Sequence, residues 1–423
     1  MPKEEKLLIS RSTRAVAKIV WTVAIIIIVA IASSLATWGI LIMLRPSEGN
    51  PIVMGTTFDF TSFEAQHGRL VKAGFEIWMD EVNAKGGLLG RQVTLITYDD
   101  EDTTEKIVSN TERLLSVDKV DILLGGWGSL HTPVMAPIAE KYGMTNVGVF
   151  WPNTLIYRAR DEPETIHHSF AYSSGPYMYP RPMFAFINSL PNETRPSTIA
   201  LVSRDDIYGR DSAATCKELA EQYNFTIVLD EYFDPTKLDL TLVMTKVAQS
   251  NPDVIMGNGF PNDAEARCRA LHEIGFIPKI YWENIGPAWP EWITVLGVKG
   301  EYAFQGTPWA YNFPGAANEA FVTKAIMKVG RDLLSYPTAM GYMIGQIYEQ
   351  AITKADSLDQ AKLLNILETN EFDTLMGKVT FTDHFANAPM FLIQVQNATF
   401  ETIWPSTLQT SPPVLPIPST WGQ

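Results

Sequence analysis

The 423-residue chain carries only two cysteines, Cys216 and Cys268. That excludes a disulfide framework and a cysteine-based metal site. Both cysteines fall in segments with helical spacing among apolar neighbours, which favours buried free thiols over a single bridge. Basic residues are also in deficit: 33 Lys and Arg stand against 47 Asp and Glu, a formal charge of −14. So acidic a chain is a poor match for a polyanion, and nucleic acid is not an expected partner. Cofactor fingerprints are missing too. No GxxxxGK[ST] loop occurs. The glycine-rich stretch Gly86-Gly87-Leu88-Leu89-Gly90 follows a helical segment, whereas a dinucleotide turn needs a strand before it and a helix after it. Ser129 lacks the flanking glycines of a nucleophile elbow. The acidic run Asp99–Asp102 lacks the alternate ligands and glycine of an EF-hand loop, and reads as a solvated strand end. No catalytic residue, cofactor or metal is therefore expected.

Long apolar runs are nearly absent as well. The exception is Ile19–Leu44, which holds no charged residue. A bilayer takes about 20 apolar residues to cross, so this run predicts a single transmembrane helix. Lys3, Lys6, Arg11, Arg14 and Lys18 precede it, against Glu4 and Glu5. The positive-inside rule then makes residues 1–18 cytoplasmic and everything after Arg45 extracytoplasmic, at the cell membrane. Cleavage near Ala32–Ala36 stays open. With no second run of this kind, the chain is not itself expected to be a channel or permease.

What the sequence does contain is alternation. Strand-like Ile52–Gly55, Val93–Tyr98, Ile122–Leu124 and Val147–Phe150 are separated by helical spacing at Arg69–Lys85, Glu105–Leu115 and the stretch after Ser129. Apolar strands with intervening helices predict a parallel sheet covered on both faces. Ile166–Pro180, polar and aromatic, interrupts the rhythm. The alternation then restarts over Thr198–Trp282. These are two lobes. The expected division is a cytoplasmic stub, anchor (about 19–44) and tether over residues 1–50. Lobe 1 follows from 51–172 plus 306–376, lobe 2 from 173–305 plus 377–404, and a proline-rich disordered tail from 405–423. Open α/β sheets bind ligands in the crevice at their strand carboxyl ends, so the ligand is expected between the lobes.

Val120–Gly143 is the most informative stretch. An apolar strand stops at Gly125-Gly126, a small turn Trp127-Gly128-Ser129 follows, and a helix is predicted with Thr132 as N-cap and Pro133 at its first position. Such a turn places free N–H groups and the positive end of a helix dipole at a strand end, a seat for a small anion such as a carboxylate. Ser129 adds a hydroxyl and Trp127 an apolar wall.

Four segments, taken in order and spacing, carry a resemblance: EIWMDEVNAKGGLLGRQVTLITYDD, LLGGWGSLHTPVMAPIAEKYGM, IALVSRDDIYGRD, and NPDVIMGNG with its helix ending ALHEIGF. Over roughly Ile52–Trp404 the chain resembles the leucine/isoleucine/valine-binding proteins of ABC importers. The resemblance implies the type I periplasmic-binding fold: two parallel-sheet Rossmann-like lobes joined by a hinge, here behind an N-terminal transmembrane helix. It implies an amino acid or amide-like ligand clamped between the lobes without chemistry and delivered to an ABC permease. The same fold also serves as ectodomain in sensory receptors, which is the alternative. By position, Ser129 takes the ligand carboxylate, and Tyr208 and Phe260 supply aromatic walls with Trp127 and Trp151. Glu283 or Asn284 takes the ammonium, one residue of register deciding which, and His67 aligns with a first-lobe loop tyrosine. The family's second small hydroxyl is replaced by Phe150-Trp151-Pro152-Asn153, with Asn153 as a substitute polar contact. That departure points away from a simple aliphatic amino acid.

Overall fold

The computed structural model describes residues 49–62 and 64–423. The expected transmembrane segment lies outside them. Among the described residues, no helix is long and apolar enough to cross a membrane.

The first sheet takes β1 (Ile52–Phe58), β2 (Val93–Asp99), β3 (Ile122–Leu124), β4 (Asn146–Phe150) and β5 (Ser169–Ser173). Between them run α1 (Ala65–Ala84), α2 (Thr104–Ser116), α3 (Gly128–Tyr142) and α4 (Asn153–Asp161). After β5 the short α5 (Gly175–Met178) and α6 (Pro180–Ser189) lead into the second sheet. There β6 (Thr198–Arg204), β7 (Thr226–Phe233), β8 (Val254–Asn258), β9 (Ile280–Glu283) and β10 (Phe304–Thr307) alternate with α7 (Ile207–Gln222), α8 (Thr241–Ser250), α9 (Pro261–Ile274) and α10 (Pro290–Leu296). The chain returns to the first lobe through α11 (Ala316–Val329), α12 (Tyr336–Ala355) and α13 (Gln360–Thr369). It ends in β11 (Phe372–Thr374), β12 (Gly377–Val379), β13 (Phe381–Thr382), β14 (Phe385–Ala386), β15 (Phe391–Gln396) and β16 (Thr399–Trp404).

The two sheets repeat one topology. The first runs β13-β14-β5-β4-β3-β1-β2, the second β16-β15-β10-β9-β8-β6-β7. In each, the five leading strands are parallel, and the first lies between the second and the third. Strand order reverses at β1/β3 and at β6/β8, and a reversal of this kind opens a crevice at the carboxyl ends. The expected two-lobed α/β architecture is what the chain adopts. The central strands are buried along their whole length, as in β4, β5 and β8. Their polar end residues, Asn146, Ser169, Ser173 and Asn258, are buried with the apolar ones.

Close helix packing fixes lobe 1. Helices α1 and α12 meet backbone to backbone: a Cβ on Gly74 would stand 2.0 Å from the Thr338 carbonyl oxygen, and one on Gly341 2.2 Å from that of Val71. Only glycine allows this approach.

Two expected boundaries are corrected. Residues 377–404 do not all belong to lobe 2, because β14 pairs with β5 and β13 with β14, on the first sheet. The third crossing between lobes falls at Asn387–Met390. The proline-rich segment 405–423 is also not disordered. The Ile417 N–H donates to the Lys279 carbonyl at 3.1 Å, and Trp421 is buried against His272 and Tyr281. Its apolar anchors outweigh the proline content that suggested fraying. The cysteines are free and buried, as expected.

Candidate functional site

A cavity of about 310 Å³ lies where the carboxyl ends of the two sheets face each other. Its walls follow the strand ends in turn. Glu64 and His67 come after β1, Asp102 after β2, Trp127 to His131 after β3, and Phe150 ends β4. Arg204, Asp206, Ile207 and Tyr208 come from the end of β6, Phe260 from that of β8 and Ile285 from that of β9. Pro176 of the first crossing closes one side.

The anion seat begins earlier in the chain than expected. Helix α3 starts at Gly128, not after Thr132, with Trp127 in extended backbone at its N-cap and no side chain capping it. Gly128 makes this start possible with φ +90°, a conformation side chains resist. Thr132 lies inside the helix and donates its hydroxyl to the Phe150 carbonyl at 2.7 Å. Pro133 and Pro137 lie inside the helix and leave the Ser129 and Pro133 carbonyls without their usual N–H partners. The free N–H groups of the first turn and Ser129 sit at the cavity wall.

Beside the seat is a polar network. The Trp127 indole N–H donates to Glu64 at 3.1 Å, and His67 Nδ1 lies 2.5 Å from the same carboxylate. Burial pushes the Glu64 carboxyl up, but His67, Trp127 and His131 together hold it below the usual carboxylate range. His131 Nε2 lies 3.1 Å from Asp100, which also accepts from the Thr57 hydroxyl. The other ring nitrogen, His131 Nδ1, is buried with no hydrogen-bond partner among the described residues. It is a ready contact for a ligand. Burial and the nearby acids, against the pull of His131, raise Asp102 to about 6.

The lobe 2 wall is aromatic and internally paired. Tyr208 and Phe260 stack at 4.7 Å. Arg204 lies over Phe260 and donates to Asp206 and Asp263. Above the cavity, Trp127 packs on His67 and Phe150, and His67 meets Trp289 of lobe 2 edge-on at 4.6 Å.

The structure thus gathers Ser129, Trp127, Tyr208, Phe260 and His67 at one cavity, and leaves four expected residues out of its wall. Glu283 is fully buried and held by Arg267 (2.8 Å from Nε) and the Tyr281 hydroxyl (2.6 Å), so its charge is consumed inside lobe 2. Asn284 accepts from the Tyr208 hydroxyl at 2.8 Å and is a support behind the wall. Trp151 points into a cluster with Ala136, Leu155 and Ile156. Asn153 opens α4 and binds Asp211 and Thr215 across the lobes. Sequence reasoning missed Glu64, Asp102, His131, Arg204 and Asp206. They lie at or some residues beyond strand ends, too loose a placement to tell them from solvated loop residues, and the acidic run was misread: Asp100 is fully buried and Asp102 reaches the cavity.

Two parallel-sheet lobes, joined by three crossings and enclosing a cavity with an uncapped helix start, define a two-lobed ligand-binding protein. The chain belongs to the periplasmic binding protein family, whose pattern matches residues 51–399. It is 22% identical over 385 residues to Leu/Ile/Val-binding protein homolog 7 of Brucella abortus (strain 2308), covering 86% of this chain and 94% of that one. Its fold is shared by a putative branched-chain amino acid ABC transporter protein of Silicibacter pomeroyi, at TM-score 0.75 and 18% identity, covering 86% and 99%. It is shared too by the branched-chain amino acid transporter substrate-binding protein LivJ of Streptococcus pneumoniae, solved with isoleucine, at TM-score 0.70 and 19% identity, covering 84% and 100%.

Proposed function

We propose that this protein is a membrane-anchored, extracytoplasmic solute-binding protein that captures an amino acid or amide-like molecule and delivers it to an ABC permease. The observation that carries the reading is the α3 start: uncapped N–H groups, Ser129 and the unpartnered Nδ1 of His131 meet at one cavity between two lobes. A ligand carboxylate would bind there. With Glu283 paired inside lobe 2 and Asp206 paired with Arg204, the ligand's donor end falls to Asp102. Trp127, Phe150, Tyr208 and Phe260 would hold its apolar body. Ile19–Leu44 would anchor the chain, with the N-terminus cytoplasmic.

A thermal-shift screen of the full chain in detergent, against amino acids and their amides, tests the reading. A true ligand at 100 times its dissociation constant adds about 2.7 kcal/mol of stability. Ser129→Ala is expected to weaken that ligand about tenfold, a loss of about 1.4 kcal/mol, without lowering the melting temperature of the free protein. Equal affinity of variant and parent would overturn the seat; no response to any compound would overturn the ligand class.

A further inference from the structure

A second cavity, of about 610 Å³, lies on the hinge. Lobe 1 contributes α4 and the β13–β14 turn; lobe 2 contributes α6 and the end of β16. The crossings themselves complete it, through Tyr177 and Met178 of the first and Asn387 and Ala388 of the third. Pro176, one residue before Tyr177, lines the ligand cleft. One short crossing therefore separates the two cavities.

Arg181 gives the hinge cavity its chemistry. Its Nε donates to the Tyr177 carbonyl at 2.9 Å, and its guanidinium lies 4.0 Å from the centre of the Tyr177 ring. That ring is fixed in turn by an edge contact with Phe385 at 5.7 Å. The head group is held, yet among the described residues its two Nη groups have no hydrogen-bond partner and no carboxylate pairs with it. Such a cation, part-buried on a cavity wall with its Nη groups free, can take an external anion. The planar fork suits a carboxylate. Arg160 is already paired with Asp161 at 2.8 Å, and Asp383 stands exposed at the rim, in no ion pair with Arg181 among the described residues, so Arg181 is the cation left to face the cavity. Trp404 and Pro182 supply an apolar wall for the rest of the molecule.

We propose that the hinge cavity is a second binding site, for a small carboxylate with an aromatic or apolar body, and that its occupancy biases the separation of the lobes. Its walls belong to both lobes, so its shape changes as they rotate. A ligand that fits one setting better stabilises that setting.

Calorimetric titration of the full chain in detergent tests the site, with 3-phenylpropionate as probe and 3-phenylpropanamide as its neutral analogue. The carboxylate is expected to bind below about 1 mM and the amide about tenfold more weakly. Arg181→Gln should lose about tenfold in affinity for the carboxylate, and Ser129→Ala less than about twofold. The site is overturned if the carboxylate fails to bind at about 10 mM or the amide binds equally well. It is also overturned if affinity survives Arg181→Gln and is lost in Ser129→Ala, which would place the probe in the cleft. Spin labels on Lys106→Cys and Lys237→Cys, one in each lobe, test the coupling. The probe should shift their distance distribution, and an unchanged distribution overturns the coupling.

Discussion

The fate of Glu283 shows how one step along a strand decides between a ligand contact and a buried pair. Successive side chains on β9 alternate between its faces, so Tyr281 and Glu283 share one and Trp282 and Asn284 the other. Arg267 of α9 covers the Glu283 face, and all three partners are buried. Burial opposes the Arg267 charge, and Glu283 more than restores it. Glu283→Ala is therefore expected to strand a buried cation and cost about 3–5 kcal/mol of stability in denaturant unfolding, with Arg267→Met recovering part of the loss. Stability unchanged by Glu283→Ala would refute the assignment. The strand-turn-helix pattern made Ser129 and Trp127 legible, and the family resemblance added Tyr208 and Phe260. Glu64, Asp102 and Arg204 were not legible. Their role depends on rotamers and on which lobe stands opposite, and neither is written in local spacing.

At the scale of elements, strands and helices were read correctly wherever apolar periodicity was strong, and misread where polar or proline-rich composition hid a tertiary anchor. Helix α3 begins four residues before its expected N-cap, since Gly128 permits the turn and Trp127 is pinned by Glu64, Phe150 and His67. The C-terminal segment is the larger miss. Composition argued for fraying, but Ile417 and Trp421 plug lobe 2 beside α9 and β9. Trp421→Ala is expected to cost about 3–5 kcal/mol, as for other buried aromatics cut to alanine, and to lower the thermal midpoint measurably. A frayed tail would leave that midpoint where it was.

At the scale of the whole molecule, the cleft concentrates acid. Asp102 titrates near 6 in the fold, from an ordinary value of 3.8. Between these values the folded protein holds more protons than the unfolded chain, so this group's contribution to stability falls as pH rises and levels off above about 6. The Asp102→Asn variant, fixed neutral, should therefore gain melting temperature relative to the parent between about pH 4 and 6 and no further above. A difference independent of pH would contradict this. The lobes also touch across the mouth of the cleft. Gln66 Nε2 donates to Glu291 at 2.5 Å, and His67 abuts Trp289. These contacts tie the lobes on one side of the cleft, and a solute that bridges the remaining opening would add its own contacts to them, so its residence would lengthen with every contact made to both lobes.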